Sequence, residues 1–177
     1  MSDLLSRSLF SLGIILTMIL CTPVYAGINL SINPLEGGSG IRFNRVLPGL
    51  KNTKQLQVRI SSNDGKKYQV FQRVYEPIIN EKGQPLNLSA IQVATLINSN
   101  TSGTLYMQTG DRLSYSEQLI YTSGQQGESD SFVLVYNANP ELIKDGGNFR
   151  GQIIFSVRAL GAADQGESVV DFLLEGS

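Results

Sequence analysis

Histidine and tryptophan are both missing from the 177-residue sequence, and cysteine occurs only once, as Cys21. Without an imidazole there is no base for Ser-His-Asp nucleophilic catalysis, and the commonest ligand of transition metals is lost as well. A single cysteine also leaves no disulfide within the chain, so burial of apolar side chains must stabilise the fold. We therefore predict no catalytic residue, no cofactor and no metal site, and a protein that is not an enzyme.

Charge is also scarce, because 14 Lys and Arg residues stand against 15 Asp and Glu residues, for a formal net charge of -1. Nucleic-acid-binding domains carry a clear basic excess, which this chain lacks. We expect no nucleic-acid partner. Hydrophobic residues make up 41% of the sequence, and charged residues 16%, which favours a folded chain over a disordered one.

The first 26 residues are typical of a signal peptide. Arg7 precedes an apolar run over 9–20, and Val24-Tyr25-Ala26 places small residues where a signal peptidase cleaves. A membrane-spanning helix needs about 20 apolar residues, and Thr22-Pro23 interrupts this run earlier. We predict contact with a membrane only through the signal peptide. Residues 27–177 would then be one domain, exported to the periplasm, the cell surface or the medium.

From Ile28 onward the apolar residues alternate with polar ones, as in strands, and no long window has the period of an amphipathic helix. Turn signals at short intervals predict a sandwich or a barrel, and we favour the sandwich. Asn63-Asp64-Gly65 predicts a hairpin turn. Residues 140–144 could form a single helical turn. The predicted strands are 28–32, 41–46, 56–60, 68–75, 91–97, 105–107, 119–121, 132–136, 149–157 and 169–174.

Acidic residues are the remaining candidates for chemistry, because a paired-carboxylate hydrolase needs no histidine. Most of them lie in turn-like segments, where carboxylates are usually solvated. Glu128-Ser129-Asp130 and 145–148 are the local candidates for calcium, but neither has the spacing of a loop that binds calcium by itself. The acids that could approach one another are Asp111, Glu117, Glu128, Asp130, Asp145 and Asp171.

An alternative function is a module that binds a glycan through exposed tyrosines and the loop amides of Gln125 and Gln126. The sequence has seven tyrosines, and most fall in strand patterns, where half-buried packing is the default. The tyrosines beyond residue 26 are Tyr68, Tyr75, Tyr106, Tyr115, Tyr121 and Tyr136.

Two segments resemble subunits of chaperone-usher fimbriae of the colonisation-factor type, or related spore-coat-type sandwich proteins. The first is the alternating Gly27-Ile28-Asn29-Leu30-Ser31-Ile32-Asn33-Pro34, and the second runs from Gly147-Asn148-Phe149-Arg150-Gly151 to Val157. The resemblance implies an all-β, immunoglobulin-like antiparallel β-sandwich with a structural or adhesive role in a surface fibre. It implies other subunits or an assembly chaperone as partners, and Ile28, Leu30 and Ile32 as candidate donor-strand anchors.

The chain departs from this family at its end. An apolar strand at 169–174 follows the aromatic-glycine strand, which in the family lies close to the C-terminus. That strand could complete the sandwich from within, and Ile28, Leu30 and Ile32 would then belong to an ordinary first strand packed on its own core. Donation of the first strand and self-packing are the two readings that the sequence leaves open.

Overall fold

The computed structural model describes residues 27–44, 46–48, 52–96, 102–161 and 164–175. The predicted signal peptide, residues 1–26, lies outside them. Within the described part of the chain, eleven strands and two short 3-10 helices follow one another. The strands are β1 (Ile28–Pro34), β2 (Ile41–Phe43), β3 (Thr53–Ser62), β4 (Tyr68–Val74), β5 (Ile91–Leu96), β6 (Thr104–Leu105), β7 (Asp111–Arg112), β8 (Gln118–Thr122), β9 (Asp130–Ala138), β10 (Asn148–Ala159) and β11 (Asp164–Glu175).

The strands form two sheets that pack as a sandwich. The first sheet has the order β1-β3-β9-β5-β7, and the second has the order β2-β11-β10-β4-β8-β6. Neighbours are antiparallel except β2 and β11, which pair in parallel. This architecture confirms the predicted all-β class and the immunoglobulin-like sandwich.

Alternating side chains from both sheets fill the interior, as the period-two pattern predicts. On β3, Leu56, Val58 and Ile60 are buried, while Arg59 between them is exposed. β9 lies between β3 and β5, so it is central in its sheet, as its apolar sequence indicates. Burying one such side chain contributes about 1.5–3 kcal/mol to folding. The largest fully buried side chains are Tyr68, Tyr121, Tyr136, Phe43, Phe132, Phe149, Phe155 and Phe172.

The hairpin predicted at Asn63-Asp64-Gly65 is wrong. Gly65 has the positive φ (65°) that the Asp-Gly pattern indicates, but β3 and β4 belong to different sheets. β3 pairs with β1 and β9, and β4 pairs with β10 and β8. The turn therefore carries the chain across the sandwich. The physical reason is that a hairpin and a crossing both bury the apolar faces of β3 and β4, so the choice depends on the other strands with which each one pairs.

The other differences are one strand that the sequence did not predict and the boundaries of several others. β7 was not predicted, because two exposed polar residues give no periodic signal. β3 and β11 extend beyond the predicted runs, and β2 and β6 are shorter. The predicted helical turn is a 3-10 helix over Pro140–Leu142, with the Asn139 side chain accepting from the Glu141 amide at its start.

Candidate interaction site at the first strand

β1 forms one edge of the first sheet and pairs antiparallel with β3, from Ile28 opposite Ser62 to Pro34 opposite Leu56. Backbone hydrogen bonds extend the pairing at both ends. The Asn63 amide donates to the Gly27 carbonyl at 3.3 Å, and the Leu35 amide donates to the Gln55 carbonyl at 3.0 Å. In the described part of the chain, no strand pairs with the other edge of β1. The strand is thus held through one ladder only.

The three candidate anchors project from β1 onto the core. Ile28 is 6% exposed and Leu30 is 9% exposed, and Ile32 packs against the same core while remaining partly exposed. Asn29 and Ser31 alternate with them on the exposed face. In this structure the anchors therefore pack within their own sandwich. Their donation to another chain stays a prediction.

A glycine-rich segment, 37–40, joins β1 to β2 and carries the chain from one sheet to the other. Gly37, Gly38 and Gly40 have φ values of 82°, 85° and 94°, which side-chain-bearing residues rarely adopt. Gly40 also lies directly against the Asp171 carbonyl oxygen, where a Cβ would come closer than 3.0 Å. A Cβ at Gly37 or Gly38 would meet nothing within 4 Å, so at these two positions the positive φ, and not crowding, favours glycine.

The last strand, β11, occupies the place beside β10 along its whole length, from Asn148 opposite Glu175 to Arg158 opposite Asp164. Its inward side chains Val170, Phe172 and Leu174 belong to the core. Within the described residues, the sandwich is therefore completed by its own last strand at this position. A groove beside β10 for a strand from another subunit is not present in this part of the chain.

Among the acidic candidates, Asp130 accepts hydrogen bonds at both carboxylate oxygens. Its Oδ2 accepts hydrogen bonds from the Tyr121 hydroxyl at 2.6 Å and from the Ser102 amide and hydroxyl at 2.8 and 3.1 Å. Its Oδ1 accepts from the Ser131 amide at 2.7 Å. Burial raises the pKa of Tyr121, and its bond to the Asp130 carboxylate raises that pKa further. This arrangement ties the segment that contains Ser102 to the start of β9.

Other acidic residues contact donors instead of a second carboxylate. Glu117 forms an ion pair with Arg158, and Asp171 accepts a hydrogen bond from Gln152 at 3.2 Å. Among the residues that the structure describes, no three His, Cys, Asp or Glu side chains cluster in a way that could hold a metal ion. In the same residues, no helix is both long and apolar enough to cross a membrane.

The tyrosines divide into two groups. Tyr68, Tyr121 and Tyr136 are fully buried, and burial raises the pKa of all three. Tyr75, Tyr106 and Tyr115 are between 39% and 49% exposed, so three aromatic rings are available to a ligand. The first group packs in the core, as expected for tyrosines in strands, but is fully buried where half-burial was expected, and its hydroxyls have hydrogen-bond partners. The loop amides Gln125 and Gln126 are exposed.

No protein-family model matches the sequence, and no curated protein matches it either. Several solved structures are similar. A structure of aggregative adherence fimbriae of enteroaggregative Escherichia coli is 8% identical, covers 85% of this chain and 99% of its own, and has a TM-score of 0.47. The CooA pilin subunit from enterotoxigenic Escherichia coli is 12% identical, covers 84% of this chain and 97% of its own, and has a TM-score of 0.45.

A family 123 glycoside hydrolase from Clostridium perfringens is similar to the same degree. It is 13% identical, covers 85% of this chain but 27% of its own, and has a TM-score of 0.44. Fimbrial subunits are among the solved structures to which this chain is similar.

Proposed function

We propose that this protein is an exported, non-enzymatic structural or adhesive subunit of the cell surface, which joins neighbouring subunits by exchanging its first strand. The observation that supports this function is the position of β1. It is an edge strand with a single hydrogen-bonded neighbour, it places Ile28, Leu30 and Ile32 on the core, and glycines connect it to the rest of the fold. The predicted signal peptide supports export.

Exchange of β1 costs little in contacts, because the strand makes the same ladder and fills the same apolar sites on a second copy as on its own. When β1 leaves, the edge of β3 exposes unpaired backbone groups, which an alternating segment satisfies. The acceptor in this proposal is β3. The position beside β10 is not available, since β11 fills it.

A disulfide experiment distinguishes exchange from self-packing. Asn29 and Ser61 are direct partners across β1 and β3, and residues 27–177 contain no native cysteine. The bonds of Asn63 to Gly27 and of Leu35 to Gln55 make Asn29 and Ser61 a hydrogen-bonded pair, whose Cα atoms lie about 5.5 Å apart, within the range that a disulfide spans. The single variants Asn29→Cys and Ser61→Cys are mixed and oxidised, and the double variant is oxidised alone as the control.

Exchange predicts an intermolecular disulfide in the mixture and multimers of the unmodified chain 27–177 at high concentration. The oxidised double variant, with β1 locked on its own β3, should stay monomeric. A chain lacking residues 27–33 should bind a synthetic peptide of that sequence, and a peptide with Ile28, Leu30 and Ile32 replaced by serine should not bind. Strictly monomeric behaviour of every form, with no peptide binding, contradicts the proposal.

A further inference from the structure

We propose that the outer face of the second sheet carries a binding site for a neutral saccharide, in an open groove over β2, β11 and β10. The groove has a volume of about 640 Å³, which lies within the usual range for small-molecule sites, roughly 300–1,000 Å³. This site is independent of strand exchange, because β1 contributes no residue to it. It would give the glycan-binding alternative a definite location.

The register of β2, β11 and β10 places one residue from each strand side by side in the floor of the groove. Leu173 on β11 is opposite Arg42 on β2 and opposite Arg150 on β10, so two guanidinium groups flank one leucine. Phe172 and Leu174, on either side of Leu173, are buried in the core, which places Leu173 on the outer face. Two strand spacings separate the Cα atoms of the arginines by about 10 Å.

The next row along the strands adds hydroxyl-binding groups. Gln152 is opposite Asp171, and its Nε2 donates a hydrogen bond to the Asp171 Oδ1 at 3.2 Å. Amide, carboxylate and guanidinium groups are planar and offer two or more donors or acceptors each. Such groups match the adjacent hydroxyls of a sugar ring, each of which donates one hydrogen bond and accepts others.

Charge selects a neutral ligand. Arg42 and Arg150 bring two positive charges to the groove, and Glu76 and Asp171 bring two negative charges. A carboxylated ligand that approaches the guanidinium groups is also repelled by the two carboxylates, so its net electrostatic gain is small. A neutral polyol uses all four groups as hydrogen-bond partners without this conflict.

Apolar surface for the C–H face of a sugar is supplied by Ile79, which lines the groove and is 44% exposed, and by Leu173 in its floor. Tyr75 is not one of the lining residues, although its backbone amide donates to the Gln152 carbonyl at 2.9 Å.

The test uses the chain 27–177 on an array of neutral and carboxylated saccharides, followed by calorimetric titration with the best neutral oligosaccharide. We expect Ile79→Ala and Gln152→Ala each to weaken binding about tenfold, as loss of one good contact does. Leu160→Ala is the matched control, because Leu160 is an aliphatic side chain that is 52% exposed and lies outside the groove. Its affinity should equal that of the unmodified chain. Thermal unfolding of each variant verifies that the fold is retained.

Three results would overturn the site. The first is an array on which no neutral saccharide is retained, and the second is an equal loss of affinity in Ile79→Ala and Leu160→Ala. The third is a preference for carboxylated saccharides that weakens as salt is added. The oxidised Asn29→Cys, Ser61→Cys double variant separates the two proposals, since it should bind the saccharide normally even if exchange of β1 never occurs.

Discussion

The Tyr136 hydroxyl on β9 donates a 2.7 Å hydrogen bond to Oε1 of Gln72 on β4, across the interior between the two sheets. Tyr136 is fully buried and Gln72 is 1% exposed. The amide nitrogen of Gln72 contacts Oε1 of Gln118 at 3.4 Å and the Met107 sulfur at 4.0 Å. A hydrogen bond of this kind fixes how the two sheets face each other. If one sheet shifted relative to the other, a buried polar atom would be left without a hydrogen-bond partner.

Removing the Tyr136 hydroxyl is the simplest test of this link. Tyr136→Phe keeps the ring and leaves the buried Gln72 oxygen without its donor, so the free energy of unfolding should fall by about 1–3 kcal/mol. Denaturant titration measures the loss. Tyr75→Phe, on the exposed face, serves as the control and should change stability by less than about 0.5 kcal/mol. Equal effects of the two substitutions would contradict a special role for the buried pair.

Stability should decline at alkaline pH. Burial raises the pKa of Tyr68, Tyr121 and Tyr136 in the folded state above the ordinary value of 10.0. The unfolded chain then releases phenolic protons at lower pH than the folded chain, so the free energy of unfolding is at its plateau below pH 10 and decreases as pH rises beyond it. Denaturant titrations between pH 8 and pH 11 measure the slope. Tyr136→Phe should give a shallower slope, whereas identical slopes would argue against burial as the cause.

Local patterns in the sequence predicted most strands correctly, because alternation of side chains is a property of a strand and one buried face. Leu56, Val58 and Ile60, for example, identify β3 without knowledge of any partner. Pairing of strands is not local. The Asp-Gly turn predicted positive φ at Gly65, and the structure has it, but nothing near Gly65 encodes that β3 and β4 join different sheets.

The candidate sites likewise divide into residues that local spacing identifies and residues that only strand pairing brings together. Ile28, Leu30 and Ile32 could be singled out because their spacing is visible along the chain. Arg42 and Arg150 could not, because they become neighbours of Leu173 only through the parallel pairing of β2 with β11 and the antiparallel pairing of β11 with β10. A useful sign was nonetheless present, since both arginines occupy outward positions in predicted strands.

Gly40 should tolerate substitution less well than its neighbour Gly37. Both have positive φ, but a Cβ at Gly40 would approach the Asp171 carbonyl oxygen closer than 3.0 Å, whereas a Cβ at Gly37 meets nothing within 4 Å. Gly37→Ala should therefore cost about 1 kcal/mol for its backbone conformation alone. Gly40→Ala should cost at least about 1–3 kcal/mol more, because backbone must move. Thermal and denaturant unfolding compare the two, and equal losses would exclude the steric contribution.

Gly151 and Ile78 should show coupled effects on stability. Gly151, in the glycine-aromatic strand, leaves space for the fully buried Ile78, whose Cγ1 would lie 2.6 Å from a Cβ at position 151. Gly151→Ala alone should cost about 1–3 kcal/mol through overpacking, and Ile78→Ala alone about 2–5 kcal/mol through a cavity. In the double variant the 2.6 Å contact with Cγ1 is gone, while the Cα and Cβ of residue 78 stay 3.0 and 3.2 Å from the new methyl group, so the combined loss should be smaller than the sum by about 1 kcal/mol. Strict additivity in a double-mutant cycle would show that the close approach of Ile78 is not the reason for glycine at position 151.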